Sequence, residues 1–109
     1  KNKLLELMSQ KKPYLDSDLT LNKLSEVLSV SGHHLSEVMN TKLNQNYYDF
    51  INKYRVEEFK ARIADPAFAN YNLLSIAFDS GFKSKTSFNT IFKKITSKTP
   101  SEYKASITS

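Results

Sequence analysis

The strongest constraint on the fold is a repeated pattern of a short helix, a tight turn and a second helix. Pairs before the turn align at an offset of 52 residues and pairs after it at 53, so the second turn is predicted to be one residue longer. Ser25 and Ala77 supply the small residue that two closely crossing helices need. The aligned pairs are Leu24 with Ile76, Ser25 with Ala77, Val30 with Phe82, Ser31 with Ser84, Leu35 with Phe88, Val38 with Ile91, and Met39 with Phe92.

The rest of the chain also predicts helices. Only 2 Gly and 3 Pro occur in 109 residues, and the period-two alternation typical of strands is absent. The chain is therefore predicted to be all-α, with about seven helices and two helix-turn-helix subdomains joined by a long linker helix. Within a single domain over 1–109, the expected ranges are 14–45 for the first unit, 46–65 for the linker, 72–96 for the second unit and 99–105 for a closing helix.

Polar residues that can cap helices mark the predicted helix starts. A side-chain oxygen at such a position accepts from a backbone N–H of the first turn that has no partner within the helix. The predicted caps are Thr20, Ser31, Asn46, Asn72, Ser84 and Thr99. After Thr99, Pro100 and Glu102 complete a capping box. The helix that follows Ser84 is expected to bury Phe88, Ile91, Phe92 and Ile95.

The charge of the chain is concentrated at its C-terminal end. Residues 1–81 carry 10 basic and 10 acidic residues, whereas residues 82–109 carry 6 lysines and one glutamate. The whole formal net charge of +5 therefore belongs to the last quarter of the chain. A localised basic surface is typical of polyanion binding.

Several function classes are disfavoured by composition. The chain has no Cys, which excludes thiolate ligands and disulfides. Its two histidines, His33 and His34, are adjacent and point about 100° apart on a helix, a poor geometry for a shared metal ion. No Gly-rich phosphate loop, catalytic constellation or membrane-spanning apolar run is visible. We therefore expect no enzymatic activity, no metal, no cofactor and no membrane contact by this fragment.

Residues 76–103 contain Ile-Ala-Phe-Asp-Ser-Gly-Phe, then Phe-Lys-Lys, then Thr-Pro-Ser-Glu-Tyr, and residues 54–58 read Tyr-Arg-Val-Glu-Glu. With these motifs the chain resembles the C-terminal DNA-binding domain of the AraC/XylS family of bacterial transcription regulators, over about residues 14–103. The resemblance implies sequence-specific binding of double-stranded DNA, with two recognition helices in successive major grooves on one DNA face. It also implies a separate upstream sensory or dimerisation domain, absent from this chain.

The sequence departs from the family pattern at four positions. Glycine is usual where Ser29 and Ser97 stand and frequent where Asn44 stands, and a small alanine is common at the place of Phe59. Asn44 tolerates a left-handed backbone better than most residues. Phe59 requires extra volume in the packing against the linker helix.

The polar faces of the two recognition helices supply the predicted DNA contacts. Asn pairs with adenine, Lys donates to guanine, and Thr contacts the thymine methyl. The base-reading candidates are His33, Ser36, Glu37, Asn40, Lys85, Thr86, Asn89 and Thr90. Hydroxyls at helix starts and lysines suit phosphate oxygens. The phosphate candidates are Ser31, Lys42, Lys83, Ser84, Ser87, Lys93, Lys94 and Lys98.

Glu37 is unusual, because a carboxylate facing phosphates is repelled unless it has a donor. Two partners suit it: a cytosine amino group, or His33, four residues earlier on the same helix. Among whole-chain functions, a helical protein–protein interaction module with a basic C-terminal surface is the alternative, although it leaves the repeated turn unexplained. Beyond double-stranded DNA, RNA polymerase is left open as a partner. The full-length protein is expected to dimerise through the missing domain and to be cytoplasmic.

Overall fold

A computed structural model describes residues 2–108, and within that range it contains seven α-helices, two short 3₁₀ turns and no strand. The predicted all-α class with seven helices is confirmed. In chain order the elements are α1 (Asn2–Gln10), a 3₁₀ turn (Pro13–Leu15), α2 (Leu21–Val27), α3 (Gly32–Lys42), α4 (Tyr47–Ala64), a second 3₁₀ turn (Pro66–Phe68), α5 (Leu73–Asp79), α6 (Lys85–Thr96) and α7 (Pro100–Thr108). Helix α5 ends at Asp79, two residues before Gly81.

The predicted caps set the helix starts. In each of five helices the cap side chain accepts from the backbone N–H three residues later, at 2.7–3.1 Å. These caps are Thr20, Ser31, Asn46, Asn72 and Ser84. The capping box of α7 is also formed: the Glu102 N–H donates to Thr99 Oγ1 at 3.2 Å, and the Thr99 N–H donates to Glu102 Oε1 at 2.8 Å.

Two separate hydrophobic cores share the linker helix α4. Its N-terminal half contributes Phe50 and Ile51 to a core built with α1, α2 and α3. Its C-terminal half contributes Val56 and Phe59 to a second core built with α5 and α6. The molecule is elongated, with extents of 44 × 25 × 23 Å. We refer to residues 14–45 as the first unit and residues 72–96 as the second unit.

The two turns have equivalent backbone hydrogen bonds. The Val30 N–H donates to the Ser25 carbonyl and the Phe82 N–H donates to the Ala77 carbonyl, both at 3.1 Å. Ser25 and Ala77 are buried, as expected for small residues at a close helix crossing. The extra residue of the second turn is Lys83, which separates Phe82 from the cap of α6. The predicted repeat is therefore present in the structure.

The three positions where the family usually has glycine all have a left-handed backbone. The φ angles are 59° at Ser29, 54° at Asn44 and 65° at Ser97. A residue with a Cβ atom loses roughly 1–2 kcal/mol in this conformation, less for asparagine. The family pattern of glycines therefore marks positions that require a left-handed backbone, and the serines of this chain adopt it at a cost in stability.

We expect Ser97→Gly to raise the free energy of unfolding by about 1 kcal/mol. Ser97 ends α6 with its N–H donating to the Lys93 carbonyl at 2.8 Å, and glycine is the favoured residue at such a left-handed helix end. Relief of roughly 1–2 kcal/mol of strain exceeds the glycine entropy cost of about 0.4–1 kcal/mol. Urea unfolding measures the change.

Ser36→Gly is the matched control for this prediction, because Ser36 has right-handed geometry inside α3. There the same substitution is expected to destabilise by roughly 0.5 kcal/mol, the difference in helix propensity. Equal effects of the two substitutions would show that the left-handed geometry of Ser97 is not the cause.

The prediction of a buried side chain is wrong at one position. Ile95 was expected to be buried, but 41% of it is exposed. It lies on the last turn of α6 and lines an open groove beside Asn44, Asp49 and Lys94. Helix α7 packs instead against Phe92, through Tyr103, and Ile95 stays partly exposed in this groove. Ile91, also expected to be buried, is half-buried, as is its repeat equivalent Val38.

Candidate nucleic-acid interface

Helix α3 presents a polar face opposite its buried residues. Leu35 and Met39 point into the first core. Three of the base-reading candidates on this helix are exposed, and Ser36 is half-buried; the exposed ones are His33, Glu37 and Asn40. His33 Nε2 lies 3.8 Å from Glu37 Oε2, with both side chains well exposed. The predicted contact within the helix is therefore present, and it leaves both side chains accessible.

Helix α6 repeats this arrangement with a more basic face. Phe88 and Phe92 are buried in the second core. On the opposite side, all the base-reading candidates of the helix are exposed, namely Lys85, Thr86, Asn89 and Thr90. The two helices thus offer exposed groups that can donate and accept hydrogen bonds, with no apolar side chain among these candidates.

An aromatic cluster fixes α6 against the linker helix. The Phe59 ring centroid lies 4.8 Å from that of Phe88 and 5.3 Å from that of Phe92. Phe82 packs on Phe88 at 5.0 Å, and Tyr103 packs on Phe92 at 5.6 Å. Tilted and edge-to-face pairs at these distances are favourable beyond the area they bury. The volume that Phe59 requires is thus filled by contact with two residues on the back of α6.

The phosphate candidates lie at the helix starts and on the basic surface. The Ser31 and Ser84 hydroxyl oxygens accept from backbone N–H groups, which leaves each hydroxyl hydrogen free to donate to a phosphate oxygen. Ser87 is half-buried. The exposed lysine candidates are Lys42, Lys83, Lys93, Lys94 and Lys98.

Lys83 differs from the other lysine candidates, because it already has a partner. Its Nζ lies 3.1 Å from Asp18 Oδ1, which belongs to the first unit, and both side chains are exposed. The hydrogen bond from Lys83 and its charge lower the pKa of Asp18. A phosphate oxygen at this position would compete with Asp18 for the lysine.

Sequence reasoning missed a set of contacts that joins the two units directly. The Arg55 Nε donates to the Tyr14 carbonyl at 2.8 Å, and its Nη2 donates to the Asp16 carbonyl at 3.0 Å. A Cβ atom at Gly81 would lie 2.1 Å from the Tyr14 carbonyl oxygen and 2.7 Å from Arg55 Nε. We call these contacts, together with the Asp18–Lys83 pair, the clasp. The sequence signal for these contacts was Arg55 itself, within the linker-helix motif, and nothing in the sequence indicated its partners.

A carboxylate on the linker helix holds the first 3₁₀ turn and the residue before it. Glu58 accepts from Arg62 at 2.8 Å, from the Tyr14 hydroxyl at 3.1 Å and from Lys12 at 3.2 Å. Burial by itself raises the pKa of Glu58, but these three hydrogen bonds outweigh it and the pKa is lowered. Burial and the Glu58 charge raise the pKa of Tyr14. The segment that carries the Tyr14 carbonyl is thus held against α4 at both ends.

The described residues contain neither a metal-binding cluster nor a membrane-spanning helix. No group of three His, Asp or Glu side chains within residues 2–108 is close enough to hold a metal ion. None of the helices in that part of the chain combines the length and apolar character needed to cross a bilayer.

Comparison with known proteins gives consistent matches. A family model described as a helix-turn-helix domain matches residues 24–106. A protein of Staphylococcus aureus strain COL, named as an HTH-type transcriptional regulator, is 33% identical over 91 residues, covering 84% of this chain and 12% of that protein. The chain therefore spans about an eighth of the length of the curated relatives it matches.

Solved structures share the fold. The C-terminal domain of the two-component response regulator yesN from Fusobacterium nucleatum matches with a TM-score of 0.79 and 27% identity, over 94% of this chain and 95% of that chain. The C-terminal domain of AraT, a response regulator from Geobacillus stearothermophilus, matches with a TM-score of 0.82 and 24% identity, over 96% of this chain and 83% of that one.

Proposed function

The chain belongs to the AraC-type helix-turn-helix family, and on this premise we propose that α3 and α6 read two boxes of one asymmetric DNA site. The observation that carries the proposal is the pair of equivalent turns, each followed by a serine-capped helix with an exposed polar face. Successive major grooves on one face of a duplex are roughly 34 Å apart. The molecule, 44 Å in its longest extent, is long enough to span that separation.

The function is DNA binding in transcription regulation, which is the function of the family. We assign no catalysis to the chain. A protein–protein interaction module is not favoured, because it gives no reason for two equivalent turns with polar helices behind them. For the whole protein we propose an additional sensory or dimerisation domain, a cytoplasmic location and, as a second partner, RNA polymerase.

Within the interface, the two units are expected to contribute differently. The first unit carries two basic and four acidic residues, and we expect it to contribute more shape and base contact. The second unit carries the excess of lysines and contributes more of the counterion release that drives DNA association. Base contacts supply the specificity, and phosphate contacts set the register of the protein on the duplex.

Replacing Asn89 with alanine tests base reading directly. Asn89 is exposed near the start of α6, where a bidentate pair with adenine discriminates by about 1–3 kcal/mol. On the duplex that the wild-type chain selects, we expect affinity to fall roughly 5- to 150-fold. Sequence preference should relax at one or two positions of one box only. Fluorescence anisotropy at fixed, stated salt measures both effects.

The control for this experiment is Asn70→Ala, the same change at an exposed position in the connection before α5. It should leave affinity and preference unchanged. If Asn89→Ala weakens binding equally for every base substituted in the box, Asn89 contacts the backbone, and the assignment to base reading is wrong.

The unequal charge of the two units predicts unequal salt dependence. Lys93→Gln combined with Lys94→Gln should reduce the slope of log K against log salt by about 1–2, since each phosphate contact contributes roughly 0.9. Lys42→Gln should reduce it less, and the charge-matched pair Lys11→Gln with Lys53→Gln should leave it nearly unchanged. The slope is measured by titration between 50 and about 200 mM salt. Equal slopes in all three variants would contradict the claim.

A further inference from the structure

The two recognition helices sit in units with separate hydrophobic cores, which are joined through the linker helix α4. The linker helix α4 changes from one core to the other between Tyr54, which packs on the first, and Val56, which is buried in the second. Arg55 is the residue between them. Its half-buried side chain therefore lies at the boundary between the two units.

Arg55 binds the first unit and lies beside the turn of the second. Its guanidinium donates to two backbone carbonyls of the first unit, Tyr14 at 2.8 Å and Asp16 at 3.0 Å. Its Nε and Cδ atoms lie 2.7 Å and 3.2 Å from the place where a Cβ of Gly81 would be. A planar fork with fixed donors holds two acceptors in one geometry, which the ammonium of lysine cannot do.

The turn of the second unit forms part of the clasp. Gly81, at φ 106°, leaves room for the Tyr14 carbonyl oxygen, which would lie 2.1 Å from any Cβ there. The next contact comes from Lys83, the extra residue that makes the second turn longer than the first, whose Nζ lies 3.1 Å from Asp18 Oδ1. The first turn has no residue equivalent to Lys83, so the feature that breaks the repeat is also the feature that links the units.

We propose that Arg55 is a positioning residue for DNA recognition: through the clasp it fixes the two units relative to each other, and thereby determines the spacing between the two DNA boxes that the chain accepts. This inference rests on the proposed function, since it requires that both recognition helices read DNA. An inserted base pair moves one box by roughly 3.4 Å and rotates it by about 35° relative to the other. A rigid chain loses the contacts of one helix, whereas a chain without the clasp adjusts.

The test compares affinity for the selected duplex with affinity for duplexes in which the boxes are one base pair closer or farther apart. For the wild-type chain we expect at least a roughly tenfold loss at either altered spacing, equivalent to about 1.4 kcal/mol. Arg55→Gln should reduce this loss to threefold or less, and Arg55→Lys should lie between. Lys53→Gln, an equal charge change at an exposed position of the same helix, should retain the wild-type ratio. Because each ratio is taken on one preparation, a partly unfolded fraction cancels.

Residual dipolar couplings of the free chain test the clasp without DNA. When the couplings of the two units are fitted separately, the wild type should give one common alignment tensor. The two units of Arg55→Gln should give two different alignment tensors. If Arg55→Gln does not fold, Arg55→Lys is measured in its place. A common alignment in the variants, or a spacing ratio that the Arg55 substitutions leave at the wild-type value, would overturn the inference. A wild-type chain that selects no bipartite site would refute the proposed function instead, and the couplings would still report on the clasp.

Discussion

Replacing Phe59 with alanine is expected to lower the free energy of unfolding by about 3–5 kcal/mol, the usual cost of removing a buried phenylalanine. Phe59 is fully buried, and its ring contacts the rings of Phe88 and Phe92 on the back of α6. A domain of this size has roughly 5–15 kcal/mol of stability in total. The midpoint of thermal unfolding should therefore fall by roughly 10–20 °C.

This expectation is opposite to what family preference alone would give, because alanine is common at this position in the family and consensus substitutions usually stabilise. In this chain the neighbours of Phe59 are themselves aromatic, and none of them can fill the cavity that alanine would leave. Tyr48→Ala, at a position 74% exposed on the same helix, is the control and should change stability by about 0.5 kcal/mol or less. Similar unfolding curves for the two variants would mean that the aromatic cluster does not support α6.

Gly81→Ala is expected to cost roughly 3 kcal/mol or more. Alanine at φ 106° adds backbone strain of at least about 1–2 kcal/mol. Its Cβ would also overlap the Tyr14 carbonyl oxygen at 2.1 Å, and overpacking of this kind costs roughly 1–3 kcal/mol. Because the obstructing atom belongs to the backbone of the first unit, relief requires the two units to move apart. Chemical denaturation gives the stability change.

Gly32 provides the matched control, since it is the other glycine of the chain. A Cβ there would meet only the side-chain oxygen of Asn22, at 3.1 Å, and Gly32 begins α3 in a helical backbone. Gly32→Ala should therefore be neutral or stabilise by up to about 1 kcal/mol. If Gly81→Ala were equally mild, the close approach of the second turn to Tyr14 would not exist.

The fold was predictable where local chemistry decides the structure. Cap residues such as Ser31 and Ser84 start helices because their side chains satisfy backbone donors of the next turn, and these signals are readable from sequence alone. The exposed polar faces follow in the same way from the period of the apolar residues, which placed Leu35 and Phe88 inside. Local signals therefore gave the helices, the turns and the faces.

Contacts between distant segments were not predictable in this way. The partners of Arg55 are backbone carbonyls about 40 residues earlier, and a carbonyl acceptor carries no sequence signature. Gly81 lies in the turn that the repeat predicts, but its close approach to Tyr14 depends on how the units pack. Ile95 follows the apolar period and is nevertheless exposed, because α7 covers Phe92 instead. The particular bases and phosphates contacted by each candidate residue remain predictions.

The central claim is that this chain reads DNA through two recognition helices, and selection from a randomised duplex pool tests it most directly. The wild-type chain, shown to be folded, is incubated with the pool at moderate, stated salt, and bound duplexes are sequenced. We expect a bipartite, asymmetric motif whose two boxes are centred about one helical turn apart, roughly 10 base pairs. Enrichment of a single box, or of no sequence at all, would contradict the account.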